Sequence, residues 1–84
     1  MDFDSTRRIL GPAHCIMLEY CERYGITFDD LRSPSRKQPL ARIRQDCMAE
    51  IYHNTQLSTT SIGRILNRDH STVIHGIRAS EARQ

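Results

Sequence analysis

The chain has 84 residues, with twelve Lys and Arg against ten Asp and Glu, and a formal net charge of +2. That length bounds it to a single small domain, 1–84, with a modest core. It holds no run of about 18 apolar residues to span a membrane, and its opening MDFDSTRR lacks the apolar stretch of a secretory signal.

Residues 1–11 read as a flexible N-terminal arm ahead of the first helix. Pro12 suits the first position of a helix. Ala13, Met17, Tyr20, Cys21 and Tyr24 then recur at steps of three and four, which predicts an apolar helical face over about 12–24. Gly25 can end that helix in the left-handed conformation. Phe28 and Leu31, three apart, predict one short helical turn. SPSRKQP at 33–39 is loop-like, and Leu40, Ile43, Cys47, Met48, Ile51 and Tyr52 line one side of a helix over about 39–54. Ser58 is a good N-cap for a short helix over about 59–66 that carries Ile62, Ile65 and Leu66. Asn67 tolerates positive φ and suits the exit. Val73, Ile74 and Ile77 form the inner face of a last helix over about 70–82. No strand pattern appears, so the expected class is all-α.

The three cysteines, Cys15, Cys21 and Cys47, are odd in number and lack CxxC spacing. They read as reduced thiols in a cytosolic protein rather than a disulfide framework or a zinc site. Charge is unevenly spread. Residues 1–31 hold three arginines and six carboxylates, whereas 32–84 hold nine bases and four acids. Within 32–44 there are five bases and no acid, and eleven of the chain's twelve bases are arginine. Arginine's planar fork suits phosphate and guanine edges. The pattern fits a polyanion partner for one face, or equally a solvated basic loop.

The two short helices joined at Asn67-Arg68 outline a helix-turn-helix, whose second helix presents its N-terminus to the DNA major groove. The stretch NRDHSTVIHGIR (67–78) places short polar residues at that tip. Metal binding fits poorly: His70 and His75 are five apart, about 140° around a helix, and ligands on one helix want a spacing of three or four. A hydrolase triad fits no better. Ser71 neighbours His70 and points away from it, and neither GxSxG nor a GxxxxGK[ST] phosphate loop occurs. The sequence thus predicts no enzyme, no metal site and no cofactor. Two readings remain for the tip: Asp69 as an N-cap with a solvated first turn behind it, or a set of groups that contact DNA.

RDHSTVIHGIR closely resembles the signature of the C-terminal DNA-binding domain of the bacterial replication initiator DnaA, which reads RDHTTVxHA. EYCERYGITFDDLRS is similar to that domain's first helix and turn. LARIRQDCMAEIY is similar to its basic loop and long helix, and LSTTSIGRIL to the first helix of its helix-turn-helix. The likeness covers about residues 13–79. It implies a compact all-α domain with a Trp-repressor-like helix-turn-helix arrangement that binds A·T-rich double-stranded DNA. It further implies that Arg42 enters the minor groove, where a narrow A·T tract concentrates negative potential. Asp69, His70 and Ser71 would read major-groove base edges. Thr72, Arg68, Arg44, Lys37 and His75 are candidate phosphate contacts. Lys37 reads equally well as a solvated loop charge, and His75 as a packing residue.

Three departures stand out. Ser71 replaces a threonine, and Thr60-Ser61 replace Pro-Glu. LNRDH is one residue shorter than FGGRDH, which changes the expected aim of the last helix. The resulting expectation is a monomeric, cytoplasmic, nucleoid-associated protein that binds initiator-type boxes. It would regulate transcription or modulate replication initiation without an ATPase of its own. The alternatives are an excised domain of a full initiator, or a protein-interaction module of the replication machinery that does not read DNA.

Overall fold

The computed structural model describes residues 11–84; the arm expected at 1–11 lies outside them but for Gly11. Among the described residues five helices follow in order: α1 (Pro12–Tyr24), α2 (Phe28–Arg32), α3 (Leu40–Asn54), α4 (Thr59–Leu66) and α5 (His70–Arg83).

Local chemistry sets most of these boundaries. Pro12 occupies the first turn of α1, and Gly25 closes it at φ 66°. Thr27 and Asp30 form a reciprocal capping box at the start of α2. The Thr27 hydroxyl accepts from the Asp30 N–H at 3.1 Å, and the Asp30 carboxylate accepts from the Thr27 N–H at 2.9 Å. Pro39 precedes α3 as its N-cap instead of forming its first residue. The Gln38 side-chain oxygen accepts the Arg42 N–H at 3.2 Å, one of the donors that a helix start leaves without an intrahelical partner. Ser58 caps α4 through the Ser61 N–H at 3.1 Å.

One apolar stripe of each helix meets the others in a single core. Leu31, Cys47, Ile51, Ile62, Leu66 and Val73 are fully excluded from solvent. Each aliphatic side chain buried in this way contributes roughly 1.5–3 kcal/mol. Tyr24 and Tyr52 depart from the expected inward faces, each being nearly half exposed at a helix end. The Arg23 guanidinium lies over the Tyr24 ring at 6.0 Å, and Tyr52 packs edge-on against His53. Burial pushes the Cys47 thiol up to about 12 and raises that of Cys21, so both stay neutral and poorly nucleophilic.

α5 packs chiefly along α3. Its C-terminal half is tied down by polar bonds: Ser80 Oγ to Asp46 Oδ1 at 2.6 Å, Arg83 Nη2 to the same oxygen at 2.9 Å, and His53 to Glu81 at 2.9 Å. Gly76 faces Gln45 and Met48 of α3; a Cβ there would meet Met48 Sδ at 2.7 Å.

Candidate nucleic-acid interface

The turn between α4 and α5 is very short. Asn67 takes the left-handed conformation at φ 58° and ψ 47°, and the Arg68 N–H then donates to the Gly63 carbonyl at 2.7 Å. Chain reversal brings the Arg68 carbonyl onto the Cα of Gly63, and a Cβ on that residue would overlap it. The helix-turn-helix closes this tightly because residue 63 has no side chain.

Asp69 follows as the N-cap of α5, its Oδ1 accepting from the Thr72 N–H at 2.8 Å. That bond, with further help from the Thr72 hydroxyl, holds the carboxyl below its ordinary value. One Asp69 oxygen therefore shapes the helix end. Capping and contact with a partner are compatible here, since a carboxylate has further acceptor sites. His70, Ser71, Thr72 and His75 are all exposed, whereas Val73, Gly76, Ile77 and Ser80 face the core.

Between this tip and the start of α3 runs a groove of about 530 Å³, whose lining includes Arg36, Gln38, Arg44, Gln45, Asn67, Arg68, Thr72 and His75. Of the residues singled out in the sequence, it brings together Arg44, Arg68, Thr72 and His75. Arg42 and Lys37 are exposed but do not line it. Among the described residues no partner holds the Arg42 guanidinium, so it is free to reach outward from the first turn of α3.

Arg44 departs from its expected role as a phosphate contact. It is only 5% exposed. Its guanidinium donates to the carbonyls of Leu31 at 2.7 Å, Ser35 at 2.8 Å and Asp30 at 3.1 Å, and to Ser33 Oγ at 3.4 Å. It satisfies the Leu31 carbonyl near the end of α2, where a helix leaves acceptors over, and adds a further donor to that of Asp30, which also accepts from the Ser33 N–H and hydroxyl. Arg68 is half-buried and also faces backbone. Its Nη1 donates to the carbonyls of Asn67 at 3.0 Å, Leu66 at 3.2 Å and Arg32 at 3.4 Å, and its Nη2 to that of Ser33.

Burial, then the neighbouring Arg68, lowers the pKa of Arg44; burial, then Arg36, lowers that of Arg68. Among the described residues neither arginine is paired with a carboxylate. Three cations thus share one groove without a counter-ion from the protein, a local excess of positive potential that an anion would relieve. Gln38 and Gln45 were not singled out from the sequence. Both sit one helical turn or less from Arg42, and that spacing was the available signal.

Among the described residues no group of three or more His, Cys, Asp or Glu could hold a metal ion, and no helix is long and apolar enough to cross a membrane. A family model described as the bacterial dnaA protein helix-turn-helix matches residues 14–79. Among curated proteins, the chain is 44% identical over 61 residues to the chromosomal replication initiator protein DnaA of Desulfatibacillum aliphaticivorans, covering 73% of this chain and 13% of that protein. It is 40% identical over 72 residues to the DnaA of a Thermoanaerobacter species, covering 86% and 16%, and 31% identical over 77 residues to that of Mycoplasma pneumoniae, covering 92% and 18%. The chain thus spans less than a fifth of the length of these relatives. With the match running through α1 to α5 and across the groove, the chain belongs to the DnaA helix-turn-helix family of DNA-binding domains.

Proposed function

We propose that this chain binds double-stranded DNA sequence-specifically at sites like the replication initiator's A·T-rich boxes, as a monomer in the bacterial cytoplasm and nucleoid. It would act there as a transcription regulator or a modulator of replication initiation. The observation that carries the reading is the juxtaposition of an exposed, capped recognition-helix tip with a groove lined by arginines that, among the described residues, have no carboxylate partner. The 84 residues contain no phosphate loop: their glycines, at 11, 25, 63 and 76, are isolated and none precedes a lysine. ATP-driven opening of an origin is therefore not part of the proposal.

In this reading Arg42 enters the minor groove. His70, Ser71 and the second oxygen of Asp69 meet base edges in the major groove, where a carboxylate accepts from cytosine N4 and imidazole or hydroxyl pairs with purine edges. Thr72, His75, Lys37 and Arg36 meet phosphates. Arg44 is withdrawn from that group because its donors are spent on carbonyls inside the domain. The one-residue shortening at Asn67-Arg68 moves the start of α5 and leaves Arg42, in the first turn of α3, in place. The A·T-rich half of an initiator-type box is therefore retained, and the CACA-like half is altered or read loosely.

Selection of bound duplexes from a random pool tests both parts. The expected result is a short enriched site with one A·T-rich end. A pool that enriches for nothing defeats the proposal. An unaltered initiator box with full discrimination in both halves defeats the claim about the turn.

A further inference from the structure

Five backbone carbonyls between residues 30 and 35 accept from two arginine side chains, with Ser33 Oγ adding a bond to that of Asp30 and Asn67 Nδ2 one to that of Arg32. Arg44 takes those of Asp30, Leu31 and Ser35, and Arg68 takes those of Arg32 and Ser33. The two arginines come from different places. Arg44 is in the second turn of α3, two residues after Arg42. Arg68 is in the turn itself, one residue before the cap of α5, and it also donates to the Leu66 and Asn67 carbonyls of its own turn. The segment they grip leads directly into Arg36, Lys37 and the start of α3. It runs from the end of α2 into the irregular stretch 33–37, and beyond the Ser33 N–H bond to Asp30 these guanidinia supply much of its fixed geometry.

We infer that Arg68 is a positioning residue: with Arg44 it clamps the 30–35 segment to the helix-turn-helix, and so fixes the distance between the minor-groove arginine and the major-groove tip. This rests on the DNA-reading function proposed above and assigns Arg68 a different task from the phosphate contact expected of it. A planar fork suits the task. Its two terminal nitrogens bond carbonyls on both sides of the gap at once, those of Arg32 and Ser33 at the end of α2 and those of Leu66 and Asn67 in the turn. An ammonium on a flexible stem cannot hold the same geometry. A direct phosphate contact would need those donors pointing outward.

The readout is spacing. One base pair inserted between the A·T-rich end and the major-groove segment separates the two by about 3.4 Å and rotates them by about 34–36°. A protein with rigidly spaced readers loses one set of contacts. One with loosely spaced readers shifts to recover both. The duplex selected by the wild-type chain and its one-base-pair insertion are titrated against wild type and Arg68→Gln, over a range of salt.

The wild type is expected to bind the inserted duplex roughly tenfold or more weakly, the cost of losing at least one base contact. Arg68→Gln is expected to bind the original duplex less tightly. Its preference between the two duplexes should shrink to less than about threefold, with the salt slope unchanged. Arg68→Lys, which keeps the charge, is measured in the same way. It is expected to relax spacing too, and it carries the test alone if the glutamine variant does not fold. An unchanged preference in the folded variants overturns the inference. So does an equal loss on both duplexes with a salt slope smaller by about one, because that describes a phosphate contact. A wild type that shows no preference among duplexes overturns the DNA reading as well, and it does so in the control, before any variant is compared.

Discussion

Replacing Arg44 with alanine should be among the most damaging single changes in this domain. The side chain makes three bonds to carbonyls, two of them at 2.7 and 2.8 Å, from a residue that is 5% exposed. A hydrogen bond involving a charged group contributes about 1.5–3 kcal/mol, and bonds sharing one group do not add fully. The two short bonds together with the buried and half-buried carbonyls left without that donor therefore put the loss at about 3–4 kcal/mol. Domains are stable by roughly 0.05–0.15 kcal/mol per residue, so one of this size has on the order of 4–12 kcal/mol in all. Equilibrium urea unfolding followed by far-ultraviolet circular dichroism measures the difference. At a slope near 1 kcal/mol per molar urea, the midpoint should fall by about 3 M. Arg44→Lys should lose most of the same stability, because one ammonium cannot reach carbonyls on both sides of the segment. The reasoning fails if Arg44→Ala loses less than about 1 kcal/mol while its DNA salt slope drops by about one, since Arg44 would then be an outward-facing phosphate contact.

With Arg44 and Arg68 engaged inside the domain, the slope of log K against log salt for duplex DNA should be about −3, and a slope near zero in binding titrations would remove the DNA reading. Arg42→Ala should relax the A·T preference at one end of the selected site. His70→Ala should cost about 1–3 kcal/mol at particular base pairs, and a uniform loss across sequences would show that His70 is not a base reader. Gly63→Ala should lower the melting temperature much more than Gly76→Ala, because the new methyl group meets the Arg68 backbone carbonyl in one case and the bendable Met48 side chain in the other; equal melting temperatures would contradict this. The Asp69 carboxyl is depressed in the folded chain, so its stabilising effect is complete above its unfolded value of about 3.9 and is lost as pH falls through the lower folded value. Acid titration of Asp69→Asn, which keeps a capping oxygen, should lack that component.

The helices were legible because periodicity and punctuation agreed. Pro12 and Gly25 bracket α1, Ser58 opens α4, and Asn67 ends it with the predicted positive φ. Thr27 and Asp30, three apart, also announced a capping box, although only a bare turn was expected there. Arg44 was not legible. Its partners lie 9 to 14 residues away, in α2 and the stretch after it, and nothing in the ARIRQ spacing separates an arginine that faces DNA from one that turns inward. The two tyrosines misled for a related reason: Tyr24 and Tyr52 satisfy the helical period but sit at helix ends, beyond the reach of the core.

The polar bonds of Ser80, Glu81 and Arg83 acquire a mechanical meaning from the length of α5. Its 14 residues span about 21 Å, so a tilt of about 5° at the far end displaces the tip by roughly 2 Å. That exceeds the tolerance of a hydrogen bond to a base edge. The helix behaves as a beam whose distal end is pinned to α3 by Asp46 and His53. Substitutions at those pins, far from any base, should therefore blur sequence preference before they unfold the domain.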